Sequence, residues 1–157
     1  MTMVAAGLYD WLVLLHILAA MIWLGGIVML AVYGTLLVRS GEHDPILRFV
    51  RSLRVTGPLV LAPATIGVVA LGLWLVLDGN AWSFGQTWIW LALGLFGIAF
   101  LVGAAFQSRA AIGAHRAAEA GRHDEAVVHL RRWLWGMRLI LLILLVIAWD
   151  MVFKPAS

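Results

Sequence analysis

Four apolar stretches, each long enough to cross a lipid bilayer, occupy most of this chain. A helix needs about 20 apolar residues to span the hydrocarbon core, because each residue adds about 1.5 Å of rise. The sequence is 64% hydrophobic and 12% charged, whereas a soluble domain is about 45–50% apolar and about 25% charged. It therefore predicts an all-α integral membrane four-helix bundle in one domain, 1–157, with spans at about 8–38, 57–77, 84–106 and 133–153.

The chain contains no cysteine, which excludes disulfides, thiolate metal sites and iron–sulfur clusters. A metal or haem would therefore need histidine, methionine or carboxylate ligands. The formal net charge is +3, but the basic residues flank the apolar stretches, where anionic lipid headgroups are their nearest partners. We expect the bilayer and its anionic headgroups as partners, and no nucleic acid.

The distribution of Lys and Arg predicts the orientation of the chain. Of the 11 basic residues, Lys154 lies at one end of the bundle and the others lie in or beside the first and third connections. Cytoplasmic connections carry such an excess in membrane proteins. We therefore predict cytoplasmic connections at 39–56 and 107–132, N- and C-termini outside, and a multi-pass protein of the bacterial inner (cytoplasmic) membrane.

The first connection contains a short amphipathic segment, ILRFVRSLRV, preceded by Asp44 and Pro45. An acidic cap followed by proline is typical of a helix start. We expect a separate interfacial helix, with its apolar residues in the membrane interface and its arginines at the headgroups. The next span begins near Gly57, and Pro63 predicts a bend in it, because proline lacks the N–H that continues a helix.

Ser83 and Gln86 have capping-box spacing, so the third helix is expected to begin near Phe84. Gln107 marks the point where this helix leaves the membrane. The alanine-rich sequence that follows favours a helical extension into the cytoplasm, and Gly121 is a natural stop.

His16 lies about 12 Å inside the outer end of the first span, estimated from helical rise. Two explanations stay open: a haem or metal ligand or proton-transfer group, or a neutral histidine that packs two helices. Asp150 either orients this imidazole, as carboxylates orient metal-bound histidines, or faces water at the interface. Met151 is either a soft second axial ligand or apolar filling. Three other histidines are expected to face water on the cytoplasmic side: His115, His123 and His129.

No HEXXH, GxGxxG, GxSxG or Walker motif is present, so the sequence does not decide whether the protein is an enzyme. The segment RRWLWGMR places Arg131, Arg132 and Arg138 beside two tryptophans. This pattern predicts an anchor for lipid headgroups, and it is also typical of an ordinary positive-inside flank.

The segment LHILAAMIWLGGIVML resembles the first helix of a broad group of bacterial membrane proteins. In that group a histidine is followed seven residues later by tryptophan and then glycine, here His16, Trp23 and Gly25. The group includes the CopD copper-resistance membrane domain and the HemJ-type protoporphyrinogen oxidases. In the HemJ-type proteins the first-helix histidine is associated with haem, so the resemblance implies haem b on His16, beside Trp23 and Gly25.

Three further segments extend the resemblance over nearly the whole chain: GPLVLAPATIGVVALGLWLVLDG, WSFGQTW and the final VFKP. Together they resemble a bacterial family of predicted four-helix integral membrane proteins classified only as a domain of unknown function. That resemblance implies topology and no established activity.

Three functions therefore stay open. The leading hypothesis is a small haem b-binding, redox-associated membrane protein with His16 as axial ligand. The second is an oligomeric transporter or channel for a small solute or proton, with His16 and Asp150 in the path. The third is an accessory membrane protein without a ligand, in which His16 joins two helices.

Overall fold

Each of the four apolar stretches forms one long helix in a computed structural model that describes residues 7–78 and 84–154. All four are long and apolar enough to cross a membrane. The prediction of an all-α membrane bundle is therefore confirmed. The helices are α1 (Leu8–Ser40), α2 (His43–Asp78), α3 (Thr87–Glu119) and α4 (His123–Phe153).

These helices are longer than a bilayer requires. The 33 residues of α1 rise about 50 Å, against about 30 Å of hydrocarbon. The end of the bundle where α1 meets α2 and α3 meets α4 holds all the arginines, and we call it the basic end. The opposite end is formed by Leu8, Asp78, Thr87 and Phe153.

Helix α2 differs from the expectation of a separate interfacial helix. It begins at His43 and runs without a break to Asp78. Pro58 and Pro63 are accommodated by a π-helical segment, Gly57–Leu61. In this segment the Ala62 N–H bonds to the Gly57 carbonyl. A wider turn of this kind gives new hydrogen-bond partners to backbone groups that lose theirs at a proline.

The amphipathic part of α2 is buried in the protein, so the prediction that it lies in the interface was wrong. Ile46, Phe49, Val50 and Leu53 are all core residues. The reason is that apolar faces of α1, α3 and α4 cover this part of α2.

Helix α3 begins at Thr87, three residues after the expected start, because Phe84 and Gly85 form a turn. Ser83 lies outside the described residues. A second π-helical segment, Val102–Gln107, interrupts α3, with the Ser108 N–H bonded to the Gly103 carbonyl. The helix continues to Glu119, and Gly121 then turns the chain with φ of 70°, a conformation that favours glycine.

The helices are arranged in the order α2, α1, α4, α3 around the bundle. Neighbours in this order pack against each other, whereas α2 and α3 meet only near the basic end, where His43–Thr56 contacts Ser108–Glu119. In their apolar halves, Ala62–Asp78 and Thr87–Leu101, no Cα atom of one lies within 8 Å of the other. A lateral gap therefore separates α2 from α3.

Packing is closest at the basic end of the bundle. The least exposed apolar side chains lie there: Val50, Ala114, Ala117, Ala126 and Leu130. By contrast, no residue of Ala62–Asp78 is buried. Water drives apolar side chains together, but lipid tails are as apolar as leucine and supply no such force between helices.

Candidate functional site

His16 lies in the interface between α1 and α2. Its ring packs on Gly72, where an added Cβ would come within 3.0 Å of the imidazole Cε1. The ring also lies near the backbone of Val68. Its Nδ1 is buried and has no hydrogen-bond partner among the described residues. The side chain thus fills a close approach of two helices and retains one unused nitrogen.

Asp150 and Met151 both lie on α4, but one is buried and the other is partly exposed. Asp150 is fully buried, at 0% exposure, rather than facing water. Neither of its carboxylate oxygens has a hydrogen-bond partner in the part of the chain that the structure describes. It forms no ion pair with His16 within 4.0 Å. Met151 is partly exposed on the outside of the bundle.

Trp23 and Gly25 lie in different surroundings. The Trp23 ring is buried and lies 5.5 Å from the Phe96 ring of α3, measured between centroids. Gly25 borders open space, since an added Cβ would meet no atom within 4 Å. Of the residues proposed for a haem site, Trp23 lines the large cavity described below, and His16, Gly25 and Met151 do not.

Of the three histidines expected to face water, His123 is exposed, whereas His115 and His129 are less exposed than expected. His115 and His129 are 18% and 26% exposed at their side chains. His115 contacts Arg54 of α2, and His129 packs on Gly113 of α3. Residues 7–78 and 84–154 contain no cluster of three or more His, Cys, Asp or Glu side chains that could hold a metal ion.

A cavity of about 620 Å³ lies between the four helices at the level of the two π-helical segments. We call it the lateral cavity. Ile66 of α2 and Phe100 of α3 line it and are themselves exposed, so it reaches the surface of the bundle through the gap between α2 and α3. Its other apolar walls include Trp23, Ile27, Leu30, Pro58, Leu61, Ala99, Ala111, Trp133, Met137 and Ile140.

Small residues on both π-helical segments create this volume. Gly57 of α2 and Gly103 of α3 both line the cavity. A Cβ added at either would meet no atom within 4 Å. π-helical segments occur frequently at functional sites, and here two of them face one cavity from opposite sides.

Gln107 is the polar group that distinguishes the lateral cavity. Its side chain is 7% exposed, and neither its amide oxygen nor its nitrogen has a hydrogen-bond partner among the described residues. The hydroxyls of Thr65 and Ser108, which also line the cavity, donate to the carbonyls of Leu61 and Ala104. Gln107 alone of these three is left unpaired, at a cost of about 1–3 kcal/mol.

Sequence reasoning placed Gln107 only as the residue where α3 leaves the membrane. The signal that could have revealed its role is an amide at the end of an apolar run, one helical turn after Gly103. Its burial depends on α4, where Gly136 makes room: an added Cβ there would lie 3.2 Å from the Gln107 amide carbon.

With this geometry in place, comparison with known proteins identifies the family. The sequence model of a family described as predicted integral membrane proteins, DUF2269, matches residues 10–155. The chain belongs to the DUF2269 family. Searches of curated proteins and of solved structures found no match. The resemblance to CopD and HemJ-type proteins is not among these findings and stays a prediction.

The expected headgroup anchor of this DUF2269 protein lies on the outer surface of α4. Arg131, Arg132 and Arg138 are all exposed. The Arg138 guanidinium lies 5.2 Å from the Trp135 ring centroid, within the range of a cation–π contact. These positions are compatible with contact to lipid headgroups and stay a prediction.

The contact of His16 with Gly72 can be tested in a double-mutant cycle. We expect Gly72→Ala to lower the free energy of unfolding by about 1–3 kcal/mol, because the new methyl group overpacks the interface. In a His16→Ala background the same substitution should cost nearly nothing. Unfolding is measured in mixed micelles, with Gly94→Ala as the control because open space surrounds Gly94. Equal costs in both backgrounds would show that the ring and the glycine do not pack together.

Proposed function

We propose that this protein binds a lipid-like amphiphile of the membrane, with the tail of the ligand in the lateral cavity. The observation that carries the proposal is the unpaired Gln107 amide in the wall of an apolar cavity between all four helices. An amphiphile supplies both an apolar tail and a polar group for the amide.

The size and position of the cavity support a ligand drawn from the bilayer. A volume of about 620 Å³ falls within the range of about 300–1,000 Å³ that small-molecule sites occupy. The gap lies between the apolar halves of two membrane-length helices. A tail can therefore pass between α2 and α3 without crossing water.

The distribution of polar groups supports one orientation of the ligand. Gln107, Ser108 and Arg54 line the cavity toward the basic end, whereas Trp23, Ile66 and Phe100 line it toward the middle of the helices. A ligand with its polar group at the basic end would give the Gln107 amide a donor or acceptor. Such a bond would recover the free energy of about 1–3 kcal/mol that the buried amide loses.

The transporter and accessory hypotheses have less support from the same geometry. A path for a proton or hydrophilic solute needs polar groups along its length, and neither His16 nor Asp150 lines the lateral cavity. An accessory protein without a ligand would supply no ligand group to the Gln107 amide. Flux through liposomes that stops on replacement of His16 would restore the transporter hypothesis.

Haem b on His16 is a second candidate, favoured by the buried Nδ1 without a partner. One chain supplies one histidine at this level of the bundle, since the other four lie at the basic end. His16 would therefore hold a five-coordinate haem, or share a haem with a second copy of the chain. Bound haem would supply one-electron redox chemistry.

Filling the lateral cavity should abolish ligand binding without unfolding the protein. We expect Gly103→Leu to weaken lipid binding about tenfold or more, because leucine takes the volume that the tail needs. Gly97→Leu is the matched control, since both glycines lie on α3 in open space and Gly97 does not line the cavity. Native mass spectrometry of the purified protein measures bound lipid. Equal lipid retention in both variants would contradict the proposal.

The haem candidate predicts a Soret absorption band after expression with added haem and purification in mild detergent. The band should shift or disappear in His16→Ala, because the axial ligand is lost. His129→Ala, at the basic end, is the control. A protein without a Soret band, or a band that is unchanged in His16→Ala, would exclude His16 as a haem ligand.

A further inference from the structure

A second cavity adjoins the lateral cavity on the side of the basic end. It has a volume of about 330 Å³ and shares four wall residues with the first: Leu53, Arg54, Ala111 and Ile112. Its remaining walls include His115, Arg116 and Glu119. The apolar cavity between the helices thus lies beside a smaller one lined largely by charged and polar side chains.

Two arginines of this second cavity have no anionic partner. No carboxylate lies within 4.0 Å of Arg54 or Arg116 in residues 7–78 and 84–154. Arg54 instead lies with its Nη1 atom 3.2 Å from the His115 Nε2 atom. A guanidinium carries five N–H donors in a planar fork that matches carboxylate and phosphate oxygens. Both arginines are exposed, so a ligand can reach their donors from outside the bundle.

His115 cannot satisfy both of its neighbours at once. Its Nε2 atom is 3.2 Å from Arg54 Nη1 and 3.2 Å from the Glu119 Oε1 atom. With a hydrogen on Nε2, the ring donates to Glu119 and faces Arg54 donor to donor. Without that hydrogen, it accepts from Arg54 and loses Glu119, and its Nδ1–H is buried without a partner. An added acceptor at Arg54 would remove this conflict.

We propose that the bound amphiphile is an anionic phospholipid whose phosphate lies in the second cavity against Arg54 and Arg116. The inference rests on the proposed function, since the tail occupies the lateral cavity. The phosphate oxygens accept from both guanidinium groups, and the His115 Nε2–H then donates to Glu119. This hydrogen bond also holds the one carboxylate of the cavity wall away from the phosphate.

Charge complementarity and the adjacency of the two cavities argue for this ligand. The two arginines exceed the one carboxylate in the walls of the second cavity. Hydrogen bonds to charged groups contribute more than those between neutral groups. The shared wall residues place the two cavities side by side, so a molecule with a headgroup and a tail can contact both.

The test compares phosphatidylglycerol with phosphatidylcholine of identical acyl chains, bound to the full chain in detergent and measured by native mass spectrometry. The wild-type protein should bind phosphatidylglycerol about tenfold more tightly. Arg54→Gln and Arg116→Gln should each remove most of this preference. Arg51→Gln is the control, because Arg51 is an exposed arginine of the same α2 segment that lines neither cavity.

The other outcomes distinguish a failure of the phosphate site from a failure of the proposed function. Equal binding of the two lipids, or equal losses in Arg51→Gln and Arg54→Gln, would overturn the phosphate site. If Gly103→Leu still abolished binding, the proposed function would stand. If Gly103→Leu also had no effect, both proposals would fall. Thermal stabilisation by inorganic phosphate equal to that by phosphatidylglycerol would show a site for free phosphate rather than for a lipid.

Discussion

The separation of α2 from α3 is the constraint on which the rest of this structure depends. At the basic end the apolar faces of all four helices form a packed core around Val50 and Leu130. The two π-helical segments, Gly57–Leu61 and Val102–Gln107, lie between this core and the apolar halves of α2 and α3, which stay apart. The lateral cavity is the space at this level.

The candidate sites differ in where their polar side chains are placed. His16 uses its ring to pack α1 on α2, whereas Gln107 contributes an unpaired amide to a cavity large enough for a ligand. Arg54 and Arg116 add positive charge to a second cavity that adjoins it on the side of the basic end. An apolar space with a polar, positively charged end matches an amphiphile, which has an apolar tail and a polar headgroup. Amphiphiles are concentrated in the bilayer.

The sequence predicted the four helices well, because apolar length and the glycine stop at Gly121 are local signals. It missed the continuity of α2, since Pro58 and Pro63 ordinarily end a helix and only the wider π-helical turn accommodates them. The environment of Gln107 depends on a glycine of another helix, and Arg54 and His115 are 61 residues apart. Such contacts follow from helix packing, which periodicity alone does not specify.

In the proposed function the Gln107 amide is held unpaired for a ligand. The decisive measurement is the free energy of unfolding of Gln107→Leu and of wild type, each delipidated and each saturated with phosphatidylglycerol. We expect delipidated Gln107→Leu to be more stable than wild type by about 1–3 kcal/mol, because a buried unpaired amide is removed. Added lipid should stabilise wild type more than the variant and so narrow or reverse the difference. A variant that is less stable than wild type by the same amount in both conditions would contradict the claim.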